Sequence, residues 1–274
     1  QTRRNDIFYG DKSITAKRSS INGSIQNLEN SSFQTSNVLN YTWSGKGHDV
    51  TAMVGQEYVN RWSRNFKAAA ANFPNDDIGL GDLSLGLPTA VSSAENYDDK
   101  LLSFFTRVNY GFKDKYLFTA SFRADGSSRF APGHRWGTFP SVSAGWRISG
   151  EKFMQPLQDI VTDLKLRAGW GMNGNQGGFG NYAYMASMSV SKLPVSEGNL
   201  YPGLAIRPGS AANKELTWEK TSQWNLGLDL TMFDSRLSFS VDAYYKKTTD
   251  LLLTVSLPEN VVPSSVTSVS YTHL

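Results

Sequence analysis

The chain has 274 residues, room for one large or two ordinary domains, and 39% of them are hydrophobic. No run approaches the roughly 18 consecutive apolar residues of a membrane-crossing helix, which excludes a transmembrane helix bundle. The net charge of +3 is dispersed, arguing against nucleic-acid binding, and the absence of cysteine excludes disulfides and thiolate metal sites.

A negative mean hydropathy does not exclude a membrane barrel, in which every second strand residue faces a polar lumen. The chain opens Gln1-Thr2-Arg3-Arg4, without methionine or a signal-like segment, and ends as abruptly; it is expected to be an internal fragment of an exported protein. A weakly patterned strand is expected between Ser13 and Gln26. Phe33 to Trp43 then places Phe33, Leu39, Tyr41 and Trp43 on one face. After Ser44-Gly45-Lys46-Gly47, Val50, Ala52 and Val54 begin another strand. Residues 61–100 show no sustained period and are expected to form a loop of about forty residues.

The clearest pattern follows. Leu102, Phe104, Thr106, Val108, Tyr110 and Phe112 alternate with Ser103, Phe105, Arg107, Asn109 and Gly111. Beyond Lys113-Asp114-Lys115, Tyr116, Phe118, Ala120, Phe122 and Ala124 alternate with Leu117, Thr119, Ser121, Arg123 and Asp125. Side chains on a strand point alternately to opposite faces, so this is an antiparallel hairpin with one apolar and one polar face.

Residues 126–137 form the next long connection. In Asp125-Gly126-Ser127-Ser128-Arg129-Phe130, one reading is a tight turn with Arg129 paired to Asp125, and the other is a ligand contact at a barrel mouth. Phe139 to Ser149 alternates again. Residues 150–162 carry Phe153, Met154, Leu157 and Ile160 at the spacing of one or two helical turns.

Leu164 to Asn173 is a further strand ending in Gly169-Trp170-Gly171-Met172-Asn173-Gly174, a G-x-G-x-x-G string. A dinucleotide site needs a helix behind those glycines, and Asn175-Gln176-Gly177-Gly178 offers none; a strand running into a loop at 174–214 fits better. Glu215 and Glu219 are expected to share a strand face as solvated lumen carboxylates rather than a glycosidase pair. Gln223 to Met232 and Leu237 to Lys246, joined at Phe233-Asp234-Ser235, complete the alternating set.

Twelve residues of strand rise about 40 Å, and a tilt near 40° makes that about 30 Å, the thickness of a bilayer core. The connections at 44–47, 113–115, 150–162 and 233–235 are short, and they alternate with long ones at 61–100, 126–137 and 174–214. That asymmetry belongs to outer-membrane barrels, with short periplasmic turns and long extracellular loops. Tyr110, Phe112 and Tyr116 then fall in the periplasmic aromatic girdle.

His48, His134 and His273 stand alone, and no hydrolase or metal motif is present, so no catalytic residue, metal or cofactor is assigned. The loop aromatics Trp62, Phe66, Trp136, Phe179, Tyr182, Tyr184 and Tyr201 either stack on a ligand or serve as girdle and loop core. The candidate ligand contacts are Trp62, Arg129, Trp136, Phe179 and Tyr182.

Several ordered segments carry a resemblance. They include Phe105-x-Arg107-Val108-Asn109-Tyr110, Arg123-Ala124-Asp125-Gly126-Ser127-Ser128-Arg129-Phe130, Trp136-Gly137-Thr138-Phe139-Pro140-Ser141, Asn213-Lys214-Glu215-Leu216-Thr217-Trp218-Glu219 and Tyr244-Tyr245-Lys246-Lys247-Thr248-Thr249-Asp250-Leu251-Leu252. Over roughly residues 30–260 the chain resembles SusC/RagA-like TonB-dependent outer-membrane receptors of Bacteroidota. The resemblance implies an all-β fold, a transmembrane antiparallel barrel of about 22 strands, of which residues 1–260 supply about nine and the plug domain lies elsewhere. It also implies a SusD-like lipoprotein partner, the TonB complex, and import of a glycan or peptide ligand across the lipid bilayer of the outer membrane. Residues 261–274 depart from the pattern, and the readings there are a truncated end and a foreign tail. A passive porin and a soluble glycan-binding β-sandwich are the rival readings; the sandwich requires Trp146, Trp170 and Trp224 in a protein core.

Overall fold

The structure is a computed structural model that describes residues 2–15, 20–77, 79–92, 97–192, 204–256 and 265–270. Fourteen strands are present among these residues: β1 (Thr2–Tyr9), β2 (Asn22–Gly45), β3 (His48–Ala71), β4 (Leu87–Ser92), β5 (Tyr97–Phe112), β6 (Tyr116–Ser127), β7 (Trp136–Arg147), β8 (Val161–Asn175), β9 (Ser187–Lys192), β10 (Leu204–Ser210), β11 (Glu219–Met232), β12 (Leu237–Thr249), β13 (Leu251–Ser256) and β14 (Ser265–Ser270). The larger sheet has the order β1-β2-β3-β5-β6-β7-β8-β11-β12, with β4 added to β3, and the smaller has the order β13-β14-β10-β9. Nine strands on the main path match the expected number, and every pairing whose register is known in this sheet is antiparallel.

Contacts divide the chain into two compact units. The first comprises Gln1–Gln34 and Val59–Lys100, the second Thr35–Tyr58 and Leu101–Leu274. In the first, β1 pairs with residues 22–29 of β2, and β4 pairs with the end of β3. Gln26 Nε2 donates to Asn65 Oδ1 at 2.9 Å, and Phe8 meets Phe73 edge-on at 5.9 Å. Asp82 accepts from the backbone N–H and the hydroxyl of Ser84, which hold its carboxyl below the usual carboxylate range.

This unit corrects the expected forty-residue loop. Residues 61–71 continue β3, residues 87–92 form β4, and β5 starts at Tyr97; Ile78 and residues 93–96 lie outside the described residues. At 24 residues each, β2 and β3 are about twice as long as a bilayer core requires. Sequence beyond that length need not keep one face wholly apolar, so Arg64 sits between Trp62 and Phe66 and the period loses its amplitude. Of the strand expected within 13–26 only the start of β2, from Asn22, is present; β1 lies before that stretch, residues 16–19 are outside the described residues, and Phe33 to Trp43 belongs to the second half of β2.

In the second unit the register converts alternation into two continuous surfaces. One row across six strands reads Val108, Ala120, Val142, Trp170, Trp224, Tyr245, and the next reads Tyr110, Phe118, Ala144, Ala168, Leu226, Ala243. The opposite face reads Arg107, Ser121, Ser141, Gly171, Gln223, Lys246. Trp224 is 59% exposed and Trp146 37%, which overturns the sandwich reading, since a sandwich would bury them. The 174–214 loop also needs correction: it contains β9 and β10, while residues 193–203, with Tyr201, are outside the described residues. The boundary at 260 is likewise outside them, and of the last residues only 265–270, in β14, are described.

The short connections sit where expected. Lys113 and Asp114 take φ of +53° and +54°, the left-handed conformation a primed hairpin turn requires, and Lys113 N–H donates to Gly47 O at 2.6 Å. Residues 148–150 and 152–157 form 3₁₀ turns, the helical spacing read at 150–162. Glu151 ties the β6 start to this segment, accepting from Tyr116 Oη (2.6 Å), Trp146 Nε1 (3.3 Å) and Lys115 Nζ (3.4 Å). Those donors, the Tyr116 hydroxyl first, hold the Glu151 carboxyl below its ordinary value. The three aromatics expected in the girdle cluster beside the turn: Phe112 stacks on Tyr116 at 6.3 Å, and His48 lies between Tyr110 and Phe112.

Candidate functional site

The polar face is built from charge networks. Arg123 Nε reaches both Asp125 oxygens at 2.8 and 2.9 Å, while its Nη2 donates to Ser103 Oγ (2.9 Å) and Glu57 Oε2 (3.2 Å). Arg123 also lies over the Phe105 ring at 5.5 Å. Farther along the sheet, Arg167 bridges Asp229 and Asp242, and Ser240 donates to Asp229. Charges at these positions are paired, as a wall bordering a wet lumen allows. Beside Arg167 is a polar hollow of about 350 Å³ lined by Thr119, Ser143, Lys165 and Asn225. Gly145, Gly169 and Gly227 keep its floor low.

At the end of the strands remote from the short turns, the connections fold onto one another. Ser127 N–H donates to Arg135 O at 3.0 Å and closes the 128–134 loop. Phe130 is fully buried, its ring 5.1 Å from Trp218 and 5.6 Å from Phe179, and Phe139 meets Trp218 edge-on at 5.4 Å. Leu216 and Leu252 complete this core. Trp218 Nε1 donates to Arg135 O at 2.9 Å, so the indole is satisfied where it is buried. Glu219 accepts from Asn175 Nδ2 and from Leu252 N–H, both at 3.2 Å.

The G-x-G-x-x-G string has a packing origin. A Cβ on Gly174 would overlap the Phe139 ring, and Gly171 and Gly169 face Ser141 and Ser143 closely. The strand runs on through Asn175 with no helix behind it, so no phosphate cradle forms.

The expected site residues separate. Arg129 N–H donates to Ser127 Oγ and its Nη1 to Gln176 O at 3.3 Å; Arg123, two residues before Asp125 on the same face, takes the pairing expected of Arg129. Phe179 packs on Phe130 in the loop core, and Tyr182, at φ +73°, is 44% exposed nearby in the chain. Trp136 pairs in register with Gly126 and stacks on Phe104 at 6.2 Å, which puts it on the apolar face at the far girdle. Trp62 belongs to β3 in the other unit, on one strand face with Phe66. Glu215 and Glu219 do not share a strand: Glu215 is in the connection before β11, 3.5 Å from His134. Trp218 and Leu216 were not expected as core; their signal is the Leu216-x-Trp218 alternation just before β11.

An open antiparallel sheet with one continuous apolar face, aromatic rows at both ends and ion pairs on the other face is the wall of an outer-membrane β-barrel. Comparison agrees. The family model described as TonB dependent receptor-like, beta-barrel matches residues 1–272, and the chain belongs to that family, whose members are outer-membrane proteins. It is 35% identical over 240 residues to TonB-dependent receptor P26 of Formosa agariphila, covering 87% of this chain and 24% of that protein. It is 42% identical over 160 residues to TonB-dependent receptor SusC of Bacteroides thetaiotaomicron, covering 58% of this chain and 16% of SusC. Among solved structures, the RagAB peptide transporter superposes with a TM-score of 0.83 at 30% identity over 99% of this chain and 29% of that one. The siderophore receptor PirA of Pseudomonas aeruginosa, at 12% identity and a TM-score of 0.51, shares the fold. The chain thus spans about a quarter or less of the curated relatives it matches.

Proposed function

We propose that the full-length receptor carrying this chain is an energised importer of glycans or peptides, driven through TonB and working with a SusD-like surface lipoprotein. The superposition on the RagAB peptide transporter, over 99% of the chain, is the observation that carries this reading. The identity to SusC supports it. Cargo passes the Arg123 and Arg167 networks on the polar wall, and the loop cluster presents Arg129, Phe179 and Tyr182 to it. Trp62 and Trp136 are offered as outlying contacts, Trp136 through its edge at the girdle.

The test is uptake of fluorescently labelled oligosaccharides and oligopeptides by cells with and without the full-length receptor. The expected result is loss of uptake of one of these classes in the deletion strain, and equal loss in the parent when a protonophore collapses the inner-membrane gradient. Receptor-dependent uptake that survives the protonophore would establish a passive pore instead.

A further inference from the structure

The apolar face has a hollow in it. At four neighbouring register positions on β7, β8, β11 and β12 stand Ala144, Ala168, Leu226 and Ala243, three of them with only a methyl group. The row above carries Trp170, Trp224 and Tyr245, and the difference in side-chain length leaves an apolar depression of about 550 Å³ beneath those rings. Trp170 Nε1 is satisfied by Ser222 Oγ at 2.8 Å. Trp224 and Tyr245 are more than half exposed, and among the described residues neither the indole N–H nor the phenol hydroxyl meets a partner. One step farther on the same face, Lys247 pairs in register with Ser222, and among the described residues no carboxylate lies within ion-pair distance of it.

Along β12, away from the short 233–235 turn, the order is therefore apolar hollow, aromatic belt, cation. An anionic lipid of the outer leaflet has the same order from the membrane interior outward: acyl chain, ester oxygens, phosphate. Aromatic rings carrying a polar edge favour the interface, and a lysine just beyond them attracts an anionic headgroup. We propose that this hollow is a binding site for an anionic membrane lipid, with an acyl chain over Ala144, Ala168 and Ala243, ester oxygens at Trp224 and Tyr245, and the phosphate at Lys247. The proposal requires the outer-membrane location of the barrel and is independent of what the receptor transports.

The test uses the full-length receptor in detergent, titrated with dipalmitoyl phosphatidylglycerol or with dipalmitoyl phosphatidylcholine and read by native mass spectrometry. The two probes share acyl chains and differ in net charge. The expected result is half-saturation by phosphatidylglycerol at a concentration roughly fivefold lower, a preference that Lys247→Gln removes. Ala168→Phe, which fills the hollow, is expected to weaken both lipids roughly tenfold. Ala243→Phe serves the same purpose if Ala168→Phe does not fold, as judged by the temperature-dependent gel mobility of folded barrels. Equal binding of the two lipids by the unmodified receptor, or titrations unchanged by filling the hollow, would overturn the proposal.

Discussion

Val142→Arg in the full-length receptor is expected to lower barrel stability by about 2–4 kcal/mol, whereas Ser143→Arg, its neighbour, is expected to cost about 1 kcal/mol or less. Val142 lies between the girdle residues Trp146 and Trp136 of β7 and pairs with Ala120 and Trp170 on the apolar face. An arginine there meets hydrocarbon between the two girdles, with neither water nor a carboxylate to receive it. Ser143 points the other way, opposite Thr119 and Gly169, where the side chain has a polar hollow to enter. Urea unfolding in lipid vesicles, followed by tryptophan fluorescence, measures both. Equal losses would mean that the two faces meet the same medium.

Phe130→Ala is expected to cost about 3–5 kcal/mol, confined to the loop cluster. The ring is fully buried between Trp218 and Phe179, in a core shared with Phe139, Leu216 and Leu252. The expected readout is faster hydrogen exchange at the backbone N–H of Ser127 and His134, which the closed loop protects at 3.0 Å each, with exchange in β6 and β7 between the girdles unchanged. Unchanged exchange in the loop would show that Phe130 is not its anchor.

The parts of the fold that were legible were those the bilayer constrains. In β5 to β8, β11 and β12 each strand must keep one face apolar for about ten residues, so period two is written at full amplitude and fixes which face each residue takes. Gly174 was visible as a glycine but not as the seat of the Phe139 ring, because that contact joins residues 35 positions apart. Outside that band the constraint lapses. β3 beyond Val59 read as loop because Trp62, Arg64 and Phe66 share a face, and β9 and β10 are short strands of mixed composition. The partner of Asp125 was legible and misread: Arg123 shares its face by strand period, whereas Arg129 is already in the turn. The loop core of Phe130, Leu216 and Trp218 depends on three connections meeting, which no local pattern encodes.

The two-faced wall is tested most directly by single cysteines placed one at a time from Leu117 to Ala124, spin-labelled in the full-length receptor in lipid vesicles. This stretch of β6 contains no native cysteine, and the chain as a whole has none. Collision with oxygen should peak at Phe118, Ala120, Phe122 and Ala124, and collision with a water-soluble nickel chelate at Leu117, Thr119, Ser121 and Arg123. Profiles in phase with one another, or without a two-residue period, would contradict a strand with lipid on one side and an aqueous lumen on the other.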